Sequence, residues 1–204
     1  MTIRISLIDP RTGEPLRPTL KVRLRRDGLR WSIPLSLMVD SGSDYSIIPI
    51  EWVADYGLAM NLTDRTIRQF RTSTGSIGFA ARGNLQLEIE GVEYSWPCMY
   101  SLPPGVTEEN AEETMDAILR AKLRMGSRAL STPQSKSKPS TFGGWMKQQF
   151  PDLSERPALL GRRGFLEVFE LRLNQDTLTI VRRSGVRRAL QWCVDRAVWF
   201  LRLE

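Results

Sequence analysis

The stretch Leu37-Met38-Val39-Asp40-Ser41-Gly42-Ser43-Asp44 decides how this chain reads. The apolar run predicts a buried strand that ends directly in a carboxylate, a small hydroxyl residue and a glycine. That order puts one acid at the end of a rigid element, on a turn whose glycine lets the backbone approach a reacting group closely. Asp-Ser-Gly occurs once in the 204 residues, so chemistry that needs two such acids must take the second from another copy of the chain.

Working outward, the surroundings read as β-rich. Ile3 to Ile8 and Thr19 to Arg25 alternate, and Asp27-Gly28 signals a hairpin whose returning strand is Trp31 to Val39. Ile50 to Tyr56 predicts a short helix. Thr66 to Thr72 and Ile77 to Ala81 flank Ser73-Thr74-Gly75-Ser76, which reads as a hairpin tip, and Asn84 to Ile89 and Val92 to Met99 flank a second turn. After Tyr100 the pattern changes. Glu108 to Met125 predicts a helix with acids at its start and bases at its end, in keeping with the helix dipole. Ser127 to Gly144 is poor in large apolar residues and reads as a mobile loop, with Trp145, Met146 and Phe150 as apolar anchors after it. Strand-like order returns at Ala158-Leu159-Leu160-Gly161. A short helix is expected over Arg163 to Val168, then a hairpin of Phe169 to Leu173 and Thr177 to Val181. The organisation is therefore a β domain begun by residues 1–100, an insertion over 101–156, completion of the domain over 157–183 and a basic amphipathic tail over 184–204.

Composition narrows the chemistry. Apolar residues make up 41%, enough for a core. The chain has no histidine, which excludes Ser-His-Asp and Cys-His catalysis and leaves proton transfer to carboxylates. Its two cysteines, Cys98 and Cys193, lie far apart and predict neither a disulfide framework nor a metal site. No cofactor is implied. The net charge of +6 comes from scattered arginines, which reads as solubility in preference to a nucleic-acid surface. Val186, Leu190, Cys193, Ala197 and Phe200 fall at helical spacing in the tail, which suits packing on the domain or its dimer, with a membrane surface as the alternative. Met1-Thr2-Ile3-Arg4-Ile5 carries no signal-type apolar run, and no stretch is long enough to span a bilayer, so a cytoplasmic location is expected.

The order of three motifs resembles the retropepsin family of retroviral-type aspartic proteases. They are Val39-Asp40-Ser41-Gly42, the glycine-bearing hairpin from Thr72 to Gly78, and Leu159-Leu160-Gly161-Arg162 leading into Phe165-Leu166. The likeness covers about residues 20 to 100 and 157 to 182. It implies a mostly β, closed-barrel acid-protease protomer with short helices, here carrying a helical and loop insertion and a C-terminal helix. It also implies a homodimeric endopeptidase acting on polypeptides. Carried over, Asp40 is the catalytic acid and Ser41 the hydroxyl that bonds across the dimer. Gly42 donates from its backbone, Asp44 pairs with Arg162, and Thr74, Gly75 and Ser76 form the flap over the substrate. Two departures stand out. The insertion borders the cleft in this scheme and would gate it, and the flap is less glycine-rich than in viral enzymes.

The residues alone leave other readings open. Asp40-Ser41-Gly42 suits any strand-to-turn junction. Asp40 and Asp44 could be oxygen ligands for a divalent cation, although no further regularly spaced acids follow. Asp44 and Arg162 could be separate solvated charges. The same cleft could also hold an extended peptide without cutting it.

Overall fold

The computed structural model describes residues 1–72, 75–128, 141–151 and 156–183. The expected C-terminal helix and the tail from 184, most of the expected mobile loop, and Ser73 and Thr74 lie outside them. The described chain is mostly β, as the strand pattern predicts, and is built on a closed barrel of six strands with short helices, as the resemblance implies.

The barrel follows from alternation. β2 (Thr19–Leu24) turns Leu20, Val22 and Leu24 inward, and β3 (Leu35–Val39) does the same with Leu35, Leu37 and Val39. Each such side chain is worth about 1.5–3 kcal/mol when taken fully out of water. The two strands pair antiparallel from Thr19↔Met38 to Val22↔Leu35. β4 (Ser46–Pro49) runs parallel to β7 (Val92–Ser101), which pairs antiparallel with the long β6 (Ile77–Ile89). β6 then meets β2 at Arg23↔Glu88 and Leu24↔Leu87, and this contact closes the barrel. β5 (Asn61–Arg71) hangs on β6 as the outer arm of a long hairpin. The two-residue β8 (Leu159–Leu160) lies between β3 and β4, parallel to the first and antiparallel to the second. A separate antiparallel sheet orders β1 (Thr2–Ser6), β10 (Thr177–Arg182) and β9 (Phe169–Asn174).

Several expectations need correction. The strand expected from Trp31 starts only at Leu35, and Trp31 makes an isolated bridge to Arg25. Pro34 has no N–H to give and interrupts the ladder there. Pairing resumes beyond it, where the Ser32 N–H donates to the Leu24 carbonyl at 2.9 Å and the Arg26 N–H to the Arg30 carbonyl at 2.7 Å, so the hairpin signalled by Asp27-Gly28 closes on a three-residue tip with one tight helical turn. The strands expected over Ile77–Ala81 and Asn84–Ile89 are one element, because Gly83 lets the Tyr100 ring lie against the backbone without a break in pairing. The helix from Glu108 is α2 (Ala111–Arg128), running past Met125 into the expected loop. The end of that loop is also helical: α3 (Phe142–Gln149) starts at Thr141, whose Oγ1 accepts the Gly144 N–H at 3.1 Å and caps the helix despite two glycines in its first turn.

Helix α2 of the insertion is anchored at the end of the β2–β3 ladder remote from Asp40. Lys122 of α2 donates to Asp27 at 2.5 Å and to the Leu58 carbonyl at 2.9 Å, and Asp27 lies past the far end of β2. α3 packs on α1 (Ile50–Asp55) with Met146 buried. The returning chain is clamped by Arg156, which grips the buried Glu51 through two bonds of 2.7 Å, while the Trp52 indole donates to the Arg156 carbonyl. Among the described residues, no helix is long and apolar enough to cross a membrane.

Removing one partner of a two-bond ion pair buried on its acid side strands the other charge, at about 3 kcal/mol. Glu51→Ala is therefore expected to lower unfolding free energy by about that amount in a urea titration. A change within experimental error would show that the clamp contributes nothing.

Candidate active site

β3 delivers Asp40 to its turn, and each bond around it has a sequence reason. The Val39 N–H donates to the Pro18 carbonyl at 2.7 Å and the Met38 N–H to Ala158 at 2.9 Å. The Asp40 N–H donates to the Leu160 carbonyl at 3.0 Å. The strand end is thus held from both sides. The carboxylate folds back on its own turn, where Asp40 Oδ1 accepts the Gly42 N–H at 2.9 Å, and it remains half-buried. The Ser43 hydroxyl closes the turn on the Tyr45 carbonyl at 2.7 Å.

The Leu159-Leu160-Gly161 segment presses on the far side of this turn. A Cβ on Gly161 would stand 2.2 Å from the Tyr45 carbonyl oxygen and 2.8 Å from the Ser46 nitrogen, a contact no side chain tolerates. The Gly161 N–H instead finds the buried Ser46 hydroxyl at 3.2 Å. Beyond it the backbone N–H groups of Arg162 and Arg163 donate to the Ser43 and Asp44 carbonyls, both at 2.8 Å. The two segments are in effect zipped together.

The structure brings Asp44 and Arg162 together as an ion pair within one chain. The Arg162 guanidinium, by hydrogen bond and then by charge, lowers the Asp44 carboxyl below its ordinary 3.8, with a smaller contribution from Arg163. Ser41 and Gly42 are exposed beside them. Ser41 also lines an open groove of about 460 Å³ with Leu7, Pro18, Val39, Leu166 and Leu171. Of the expected flap, Gly75 and Ser76 are described and Thr74 is not. Gly75 takes a positive φ of 85° and donates to the Thr72 carbonyl, and the Thr72 N–H reaches Ser76, so the β5–β6 hairpin ends in a compact tip.

Sequence reasoning missed a second set. Tyr45 is half-buried, and its hydroxyl accepts from Arg82 Nη2 at 2.8 Å and from Arg163 Nη1 at 2.9 Å. Both guanidiniums also lie over the ring, 5.3 and 4.8 Å from its centre. Three separate segments supply these residues, and nothing local marks them. Cys98 is buried on β7, and burial pushes its thiol up to about 12, which removes it as a nucleophile at neutral pH. Among the described residues, no group of three or more His, Cys, Asp or Glu side chains could hold a metal ion.

No protein-family model matches the chain, and no curated protein does. Among solved structures, a retropepsin-like aspartic protease from Rickettsia conorii is similar over 88% of this chain and 91% of its own, at 14% identity and a TM-score of 0.38. The EIAV protease complexed with the inhibitor HBY-793 is similar over 42% of this chain and 74% of its own, at 14% identity and a TM-score of 0.29. At scores this low the likeness carries no functional argument.

A carboxylate lowered by its partner stabilises the fold above its unfolded pKa, and that contribution is lost as pH falls through the lower folded value. Asp44 is expected to titrate below 3.8 by carboxyl-detected NMR and to return toward 3.8 in Arg162→Met. A midpoint that Arg162→Met does not move would contradict the pairing.

Proposed function

We propose that this chain is an aspartic endopeptidase that cuts polypeptides as a homodimer, each copy giving one Asp40. The observation that carries the reading is the geometry of Asp40. A half-buried carboxylate sits at the end of a strand held on both sides, with its own turn's Gly42 N–H on one oxygen and solvent still in partial contact with the residue. A rigidly placed acid that water can still reach is what general acid–base work on water requires.

The chemistry explains the dimer. Water is a weak nucleophile toward a peptide carbonyl. Two carboxylates at contact distance cannot both be ionised comfortably, so they share one proton. The ionised oxygen takes a proton from the water as it attacks, and the protonated carboxyl donates to the scissile carbonyl oxygen as charge grows there. The roles then reverse to protonate the leaving amine. Since Asp-Ser-Gly occurs once per chain, the second acid comes from a second copy by two-fold symmetry. The exposed Ser41 hydroxyl and the apolar groove beside it are supporting features of such an interface. The β5–β6 hairpin is the element able to close over bound substrate through its tip at Gly75 and Ser76, shutting out bulk water. Asp44 and Arg162 brace the turn and stay clear of the reaction.

The test is cleavage of a diverse peptide pool by wild type and by Asp40→Asn, which keeps shape and removes the base. Loss of turnover by at least about three orders of magnitude is expected, with the fold and dimer retained in circular dichroism and sedimentation. Specific activity should also fall on dilution below the dimer dissociation constant. Wild-type turnover in Asp40→Asn, or full activity in a strictly monomeric species, would overturn the reading.

A further inference from the structure

The Arg82–Tyr45–Arg163 cluster has unspent charge. One phenol oxygen serves as acceptor for two guanidiniums, and with Arg162 alongside the patch holds three arginines against the single carboxylate of Asp44. Asp44 is engaged by Arg162, and among the described residues no carboxylate forms an ion pair with Arg82 or Arg163. The Tyr45 hydroxyl, which accepts from both guanidiniums, still has one proton of its own to donate. The cluster is reachable, since Arg163 is exposed and Arg82 and Tyr45 are half-buried.

Its place fixes its use. Tyr45 follows the acid turn, Arg82 stands on the β6 arm of the hairpin, and Arg163 follows Gly161. We infer that these residues form a subsite for the carboxylate side chain of a bound polypeptide, so that the protein selects Asp or Glu a few residues from the bond placed at Asp40. Guanidiniums recognise carboxylates in a planar, two-bond fashion, and the phenol adds a donor between them. This rests on the proposed cleft, and its test does not depend on turnover.

The probes are labelled eight-residue peptides with amidated C-termini, carrying one Glu or one Gln at each position in turn, titrated by anisotropy against Asp40→Asn and cut by wild type. A charge-assisted contact predicts about tenfold tighter binding of the Glu peptide at one or two positions. The ratio should shrink with salt. In cleavage, the same positions should show the preference in kcat/KM. Arg163→Gln, at an exposed site that leaves folding intact, and Tyr45→Phe should bring the ratio toward one, while Arg124→Gln, exposed on α2, keeps it. Equal binding of Glu and Gln peptides, or a preference untouched by Arg163→Gln, would overturn the inference. Absence of cleavage with the binding preference intact would overturn the protease reading and leave the subsite standing.

Discussion

Much of this structure depends on a short wedge: two leucines and a glycine driven between β3 and β4. The wedge contributes little area of its own, and its effect is geometric. By pairing with Val39 on one side and Ile47 on the other, it fills the gap that the Asp40 turn opens in the barrel wall. The absence of a Cβ at Gly161 allows the approach, and the Ser46 hydroxyl meets the buried N–H that the approach would otherwise strand. Widening this gap would cost Asp40 its backbone partner and Arg162 its place beside Asp44.

Magnitudes rank what holds the acid still. Asp44 and Arg162 are 62% and 60% exposed, and an ion pair so open to water adds little to stability. The backbone bonds of Asp40, Arg162 and Arg163 and the apolar packing of Val39 and Leu160 are shielded and numerous. The ion pair orients and the wedge fixes. The buried Glu51–Arg156 clamp belongs with the wedge, since it secures the chain immediately before it. The long insertion can therefore leave the barrel and return without loosening the site.

The barrel strands were legible because one face of each is buried, and burial writes alternation into β2 and β3. The closing contact between β2 and β6 was not, since nothing in either strand names its partner. Helix α3 escaped because Gly143 and Gly144 argue against a helix; the Thr141 cap and the burial of Met146 outweigh them. The Asp44–Arg162 pair came only through family resemblance. Tyr45, Arg82 and Arg163 had no signal of any kind, because their meeting is a property of three segments and no one of them shows it.

The wedge also sets an order of events. Ser46 and Gly161 stand 115 residues apart in sequence and still must meet, and β1 pairs with β10 across most of the described chain. Contacts of such sequence separation form late, because loop closure must be met before they reward the chain. A ribosome making this protein releases the acid early and the piece that shapes its turn much later. Until then the strand that ends in Asp40 has no neighbour on that side. The geometry of the Asp40 turn is thus withheld from nascent chains by topology alone, and it arrives together with the rest of the fold.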